Sequence, residues 1–432
     1  MIEDLPNVPP ALLLLLKELA SSESWEDNRR RVKSMLGELR DQSEAFEQKQ
    51  ILRASDAKGS LRFEVHLHGE MDLLSGRGCR DVGCRIATAE RISRSFGLIA
   101  DRVWLTDFLT ERFVDFGEPT NSKLDEVLVD VLVLSKLLPL ILSGVIRFRS
   151  PWIPACSSCL EYFDNQVEKT TEELAYVFKS EFRIEKRPDG GFIAHTGKCQ
   201  DPTMMQHSLS NNLDHLPSAE SYAKHWIQEE LRSALWRARE ASMTGGAVVS
   251  NSRVGLAGLL QQDGRMVDMN TLLLMDKERA FSVPWVSELN ASQIVELRQE
   301  ASSALPLFRE ALTRAMSVPD SDAIASSDST SLIADLREQA AEVRAELEGK
   351  RAHSARYWKT TYGILGLGLS AYGVAADQVL PGVGGLLPII HLIIDHKSGH
   401  EAEVSKLTRK PGIVLVKAQD ILAHSHGSQN KT

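Results

Sequence analysis

Leu61–Gly69 reads LRFEVHLHG, and the fold turns on how this stretch is read. Through Val65, His66, Leu67 and His68 apolar and polar residues alternate with a period of two, the mark of a strand. MDLLSGRGCRDVGC (71–84) then makes a glycine-bearing loop, and Ile86–Ala100 carries helical spacing. Asp101–Asp107 (DRVWLTD) reads as a second strand. Leu124–Ser143 is a long apolar helix with Gly144 placed to end it, and Val145–Ser150 (VIRFRS) is a third strand. That β-α-β-α-β order, with right-handed crossovers, predicts a small parallel sheet covered by helices. The alternative for the first strand is membership of a hairpin.

Upstream, Pro10 suits the first turn of a short helix over Ala11–Ala20, and Trp25–Arg53 is amphipathic, with Arg29, Arg30 and Arg31 as solvated charges. Downstream of Pro151 a helix is expected over Leu160–Lys179. A β-hairpin follows over 181–196, turning at Pro188-Asp189-Gly190-Gly191. Met204–Ser218 is polar and reads as a loop, and Ser221–Ala241 as an amphipathic helix. GGAVVSNS (245–252) could return one more buried strand to the sheet, and Thr271–Asp276 is a further strand candidate. Ser292–Met316 is helical, with Pro306 expected to kink or break it.

Pro319–Ser331, rich in Ser and Asp, reads as a linker. Beyond it, Leu332, Leu336, Ala340, Val343 and Leu347 make a helical seam that faces either a partner or the chain itself. The expected class is therefore α/β to α+β and helix-rich. A helical segment (1–58) precedes an α/β body (59–318) carrying the inserted hairpin, then come the linker (319–331) and a helical region (332–432). Within that last region, 362–394 contains no Lys, Arg or Glu and one acid, Asp377, and reads as an apolar helical hairpin. Arg351, Arg356, Lys359 and Lys397 flank it, as they would flank a membrane-entering hairpin. Its arms would measure about 22 and 18 Å as helix, against roughly 30 Å of hydrocarbon, which favours burial in a helical domain.

The whole chain has 432 residues, 43% hydrophobic and 25% charged, with a net charge of -9. Such a composition excludes a disordered chain and a polytopic membrane protein, and the acidic balance does not favour nucleic acid. Five cysteines do not make a secreted disulfide framework, and the N-terminal apolar run follows Glu3 and Asp4 rather than a basic segment. A reducing cytosol of bacterial style is expected, with membrane association through 362–394 as the alternative.

Several residue sets could carry chemistry. His66 and His68, two apart on a strand, share a face in a way that suits a metal or simply a half-exposed sheet face. His-x-His on an early strand resembles the metal-dependent hydrolases built on (β/α) barrels, in these residues alone. Gly76, Arg77 and Gly78 lie in a strand-to-helix loop where backbone N–H groups could hold a phosphate, with Arg149 at another strand end. Asp72 and Asp107, at carboxyl ends of separate strands, could hold a divalent ion for phosphodiester hydrolysis. That topology resembles PIN-like nucleases. The alternative is that these acids are polar caps. Cys156 and Cys159 with His195 and Cys199 have permissible spacing for structural zinc; a redox role for the Cys-Ser-Ser-Cys pair is disfavoured by its place after a loop. There is no GxSxG, and no serine in an expected strand-to-helix elbow. The function expected is that of a binding or regulatory protein recognising a phosphorylated ligand or partner. The alternatives are a metal-dependent hydrolase and a membrane-associating effector; self-association is a further expectation.

Overall fold

The computed structural model describes residues 5–19, 24–52, 64–76, 79–151, 156–186, 188, 192–195, 206–209, 218–244, 246–250, 252–262, 286–308, 310, 337–343 and 409–429. The linker 319–331, the apolar stretch 362–394, the strand candidate 271–276, and Arg77, Gly78 and Cys199 lie outside them. The chain divides into two compact units, Met1–Arg279 and Ala280–Thr432.

The first unit is built on four parallel strands: β1 (Glu64–His68), β2 (Arg102–Thr106), β3 (Ile146–Arg149) and a late strand, β7 (Ala247–Ser250). Their spatial order is β3-β2-β1-β7. The alternation in LRFEVHLHG therefore belongs to a parallel strand, and GGAVVSNS does return to the sheet, on the far side of β1. All five residues of β1 are buried, so its alternation separates two kinds of buried face. Glu64, His66 and His68 form a polar row where most inner strands carry only apolar side chains. The open edge of β3 is occupied by the N-terminal segment, where the Phe148 N–H donates to the Asn7 carbonyl at 2.7 Å.

Two expected helices are each split. Ile86–Ala100 is α3 (Val82–Arg94) and α4 (Phe96–Ile99), broken at Ser95, whose hydroxyl donates back to the Arg91 carbonyl at 2.7 Å. Leu124–Ser143 is α6 (Asn121–Ser135) and α7 (Leu138–Leu142). The break falls where the ring of Pro139 would meet the Ser135 carbonyl, four residues back. Gly144, at φ +81°, ends α7 as expected. Between β2 and α6 lies α5 (Phe108–Val114), and Asp130 on α6 accepts from Arg85 on α3 and Arg112 on α5, tying the three together.

After β3 come α8 (Ser157–Phe178), the strands β4 (Arg183–Lys186), β5 (Phe192–His195) and β6 (Gln206–Leu209), and then α9 (Ala219–Thr244). The hairpin β4-β5 forms, but the polar stretch expected as a loop supplies β6, antiparallel to β5. β7 leads into α10 (Arg253–Gln262). Val167, Leu174 and Phe178 of α8, Ile227, Leu231 and Leu235 of α9, and Val254 and Ala257 of α10 make one apolar cluster. It holds these helices together as α9 lies along β1 and β7.

The second unit contains α11 (Ala291–Glu300) and α12 (Ile413–Gln429), with helical residues at 337–343. Asn290 opens α11 with a reciprocal capping box to Gln293. The helix ends at Glu300, before Pro306, which instead stands in the first turn of a following helical stretch. Ala340 and Val343 of the expected seam are buried, and α12 is buried continuously from Ile413 to Ile421. Lys417 on α12 pairs with Glu300 at 2.8 Å. Among the described residues no helix is long and apolar enough to cross a membrane.

Candidate functional site

Strand order fixes where a ligand would meet the sheet. The chain steps outward from β1 to β2 to β3, then returns to the opposite side of β1 for β7. Crossovers therefore diverge between β1 and β7, and the carboxyl ends of those two strands are where an open parallel sheet takes its ligands. Two residues meet at that point. His68 closes β1 and Ser250 closes β7, with the His68 Nδ1 and Ser250 Oγ 2.8 Å apart. On the other side of the ring, Nε2 is 3.9 Å from the Glu230 carboxylate of α9.

The turn out of β7 is short and polar. Ser252 is the N-cap of α10: its hydroxyl accepts from the Gly255 N–H at 3.1 Å, and its carbonyl from the Leu256 N–H at 2.9 Å. Ser250 accepts from the Ser252 N–H at 3.1 Å. The helix approaches the histidine so closely that a Cβ on Gly255 would stand 2.8 Å from His68 Cε1 and 3.1 Å from Ser250 Oγ. Ser250 thus occupies a strand-to-helix turn beside a histidine, a place where no serine was expected. Glycine at 255 and the two serines around Asn251 are its sequence signal, legible only once β7 is known to neighbour β1.

His66 belongs to a different cluster. Its Nδ1 is 3.2 Å from Nη1 of Arg149, and its ring stacks on Trp104 with centroids 6.0 Å apart. Burial, and then the positive charges of Arg149 and Arg237, push its pKa down to about 2, so it is a neutral acceptor here. The two histidines share a strand face, as their spacing implies. One ring engages β3, the other β7, and the guanidinium beside His66 opposes a cation.

Arg149 is turned inward. It donates to the carbonyls of Trp104 and Leu67 at 3.0 and 2.9 Å, and pairs with Asp72 at 3.3 Å and with Glu240 at 3.0 Å. Burial, reinforced by Arg237, lowers its pKa to about 10, which leaves it charged at neutral pH. Arg237 in turn pairs with Glu240 at 2.6 Å. This is a buried ion network binding β1, β2, β3 and α9, and the guanidinium expected to meet a ligand is engaged in it. Its α9 members, Arg237 and Glu240, lie with Glu230 in a helix whose other buried positions are apolar; those interruptions of the apolar stripe were the available signal.

The expected pair of metal-binding acids is also committed internally. Asp72 accepts from the Thr106 N–H at 2.7 Å and from the Thr106 hydroxyl. Asp107 caps α5, accepting from the N–H and hydroxyl of Thr110 at 3.0 and 2.6 Å. Among the described residues no group of three or more His, Cys, Asp or Glu side chains converges as a metal ion would require. His195 is 3.3 Å from Glu185 and does not join Cys156 and Cys159 in such a group. Gly76 has φ +69°, as a loop glycine would. The helix that follows it is capped by Asp81, whose carboxylate accepts from the Cys84 N–H at 3.0 Å and so already supplies the negative charge that end of α3 favours.

No protein-family model matches the chain, and no curated protein or solved structure is significantly similar to it.

Proposed function

We propose that the first unit is a ligand-binding module that takes a phosphorylated, hydroxyl-bearing small molecule at the carboxyl ends of β1 and β7. The observation that carries this reading is the reversal of strand order between those strands, with His68, Ser250 and Ser252 gathered at the reversal. An open parallel sheet receives its ligands at such a point. Of the two helices that follow these strands in the chain, α3 begins at a carboxylate and α10 at a neutral serine. A phosphate is therefore assigned to α10, where the first-turn N–H groups and the helix dipole favour an anion. Glu230, beside His68, would accept from hydroxyl groups of the same ligand. Asp72, Asp107 and Arg149 serve as scaffold in this reading.

Ser252→Asp tests it, because aspartate caps a helix as well as serine does but brings a negative charge to the anion position. Inorganic phosphate, a sugar phosphate and a nucleoside monophosphate are titrated into the full chain and followed by thermal shift and calorimetry. At a hundred times Kd a bound ligand should stabilise the wild type by about 2.7 kcal/mol. The variant should keep its melting temperature without ligand and bind at least about tenfold more weakly, the equivalent of about 1.4 kcal/mol. Equal responses in both proteins, or no response to any of the three probes, would sink the reading.

A further inference from the structure

Cys156 and Cys159 stand apart from the sheet's polar clusters, at the start of the 22-residue α8. Cys156 is the N-cap, extended at φ -73° and ψ 159°, and its carbonyl accepts the Leu160 N–H at 3.0 Å. Cys159 is therefore the third helical residue, and the N-cap and third positions are the two whose side chains fold toward each other at a helix start. Here the Ser158 hydroxyl lies 3.2 Å from the Cys156 sulfur, and that hydroxyl and then the Cys159 thiol bring the Cys156 thiol down to about 7. Both cysteines are exposed. On α9, the Arg239 guanidinium lies over the Trp236 ring, 5.1 Å from the centroid.

We propose that Cys156 and Cys159 form a thiol–disulfide exchange site whose substrates are low-molecular-weight disulfides. The Cys156 thiolate attacks one sulfur of the disulfide, forming a mixed disulfide and expelling one thiolate, which takes up the proton that Cys156 released. The Cys159 sulfur, having lost its proton, then attacks the Cys156 sulfur, closing the intramolecular bond and expelling the second thiol. Two protein thiols are oxidised, one disulfide is reduced, and both protons end on the two small thiols. The order of attack follows from position: the helix start and the Ser158 hydroxyl stabilise negative charge on Cys156, whereas the neighbouring Cys156 pushes the Cys159 thiol up.

The other cysteine pair is an internal contrast. Cys84 is also the third residue of its helix, but the N-cap of α3 is the Asp81 carboxylate rather than a sulfur. A negative charge there opposes a thiolate, and the contact with Cys79 pushes the Cys84 thiol up. Exchange is therefore expected at 156–159 and not at 79–84. This inference is independent of the ligand site between β1 and β7.

The experiment treats reduced full-length protein with glutathione disulfide near neutral pH and maps the products by peptide mass. The wild type should lose two hydrogens in a bond between Cys156 and Cys159 and retain no glutathione. Cys159→Ser should stop at one glutathione on Cys156, and Cys156→Ser should react at the remaining cysteine at least about tenfold more slowly. Circular dichroism of both variants establishes that α8 is intact. A bond mapping to Cys79–Cys84, equal rates in the two single variants, or no reaction would overturn the proposal. Stoichiometric zinc in the reduced protein that is lost in Cys156→Ser would overturn it too, by making the pair structural ligands.

Discussion

Asp107 accepts two hydrogen bonds from Thr110, yet its pKa is pushed up to about 6, because burial outweighs both bonds. The linkage has a definite sign. Below the ordinary carboxyl value of 3.8 the group is protonated in folded and unfolded chains alike, and it costs nothing. Between 3.8 and about 6 only the folded chain holds the proton, so stability falls as pH rises through that window and is level above it. Asp107→Asn keeps a good N-cap and cannot ionise. The variant is expected to be more stable than the wild type at pH 7 by about 1–2 kcal/mol and to lose that advantage near pH 4. Urea melts at both pH values measure it; parallel profiles for the two proteins would show that Asp107 contributes no such slope. The same residue shows the reach of sequence reading. Its place at a strand end was legible from DRVWLTD, but whether a strand-end acid faces a ligand or its own helix depends on Thr110 and on burial. Likewise the spacing of His66 and His68 fixed their shared face. Where the rings go was decided by Arg149 and Ser250, 83 and 182 residues away.

At the scale of elements, two helical glycines separate intrinsic propensity from packing. Gly37 lies inside α2 (Trp25–Leu52), and a Cβ there would meet nothing within 4 Å. Gly37→Ala should therefore stabilise the protein by about 0.5–1 kcal/mol, mainly by restricting the unfolded chain. Gly255 has the same helical preference for alanine but no room, since the added methyl would press on the buried His68 ring and Ser250. Gly255→Ala should cost about 1–3 kcal/mol by overpacking, despite the helix gain. Denaturant midpoints of the two variants test both signs together, and stabilisation by each would mean that α10 does not approach β1 this closely. Helices and inner strands were readable because alternation and apolar periodicity are local properties. β6 was not: QHSL has no apolar alternation, and its extended form comes from the hydrogen bonds it makes with β5. The helix breaks at Ser95 and before Pro139 sit between those cases. Proline is a local signal whose consequence, a stop four residues earlier, follows from backbone sterics.

At the scale of the molecule, the average composition conceals two units with different interiors. The first contains a sheet with a buried ionic network, in which Arg149, Asp72, Arg237 and Glu240 are mutually dependent. Removing one member of such a set leaves its direct partner a buried charge with fewer counter-charges, so a single substitution should destabilise the unit as a whole rather than one element of it. The described elements of the second are helical, and their close contact is of another kind: a Cβ on Gly412 would lie 2.6 Å from backbone atoms of Gln339 and Ala340. Backbone cannot step aside as a side-chain tip can, so Gly412→Ala forces α12 and the helical residues at 337–343 apart. Two compact units need not melt as one, and a single two-state transition is not expected of such a chain. Calorimetry of the full chain should give a van't Hoff enthalpy below the calorimetric one. Gly412→Ala should lower only one component of the endotherm and Gly255→Ala only the other. A shift of the entire endotherm by either substitution would mean that the units fold as one cooperative body. In that case a ligand bound between β1 and β7 would stabilise residues beyond Arg279 as strongly as those before it.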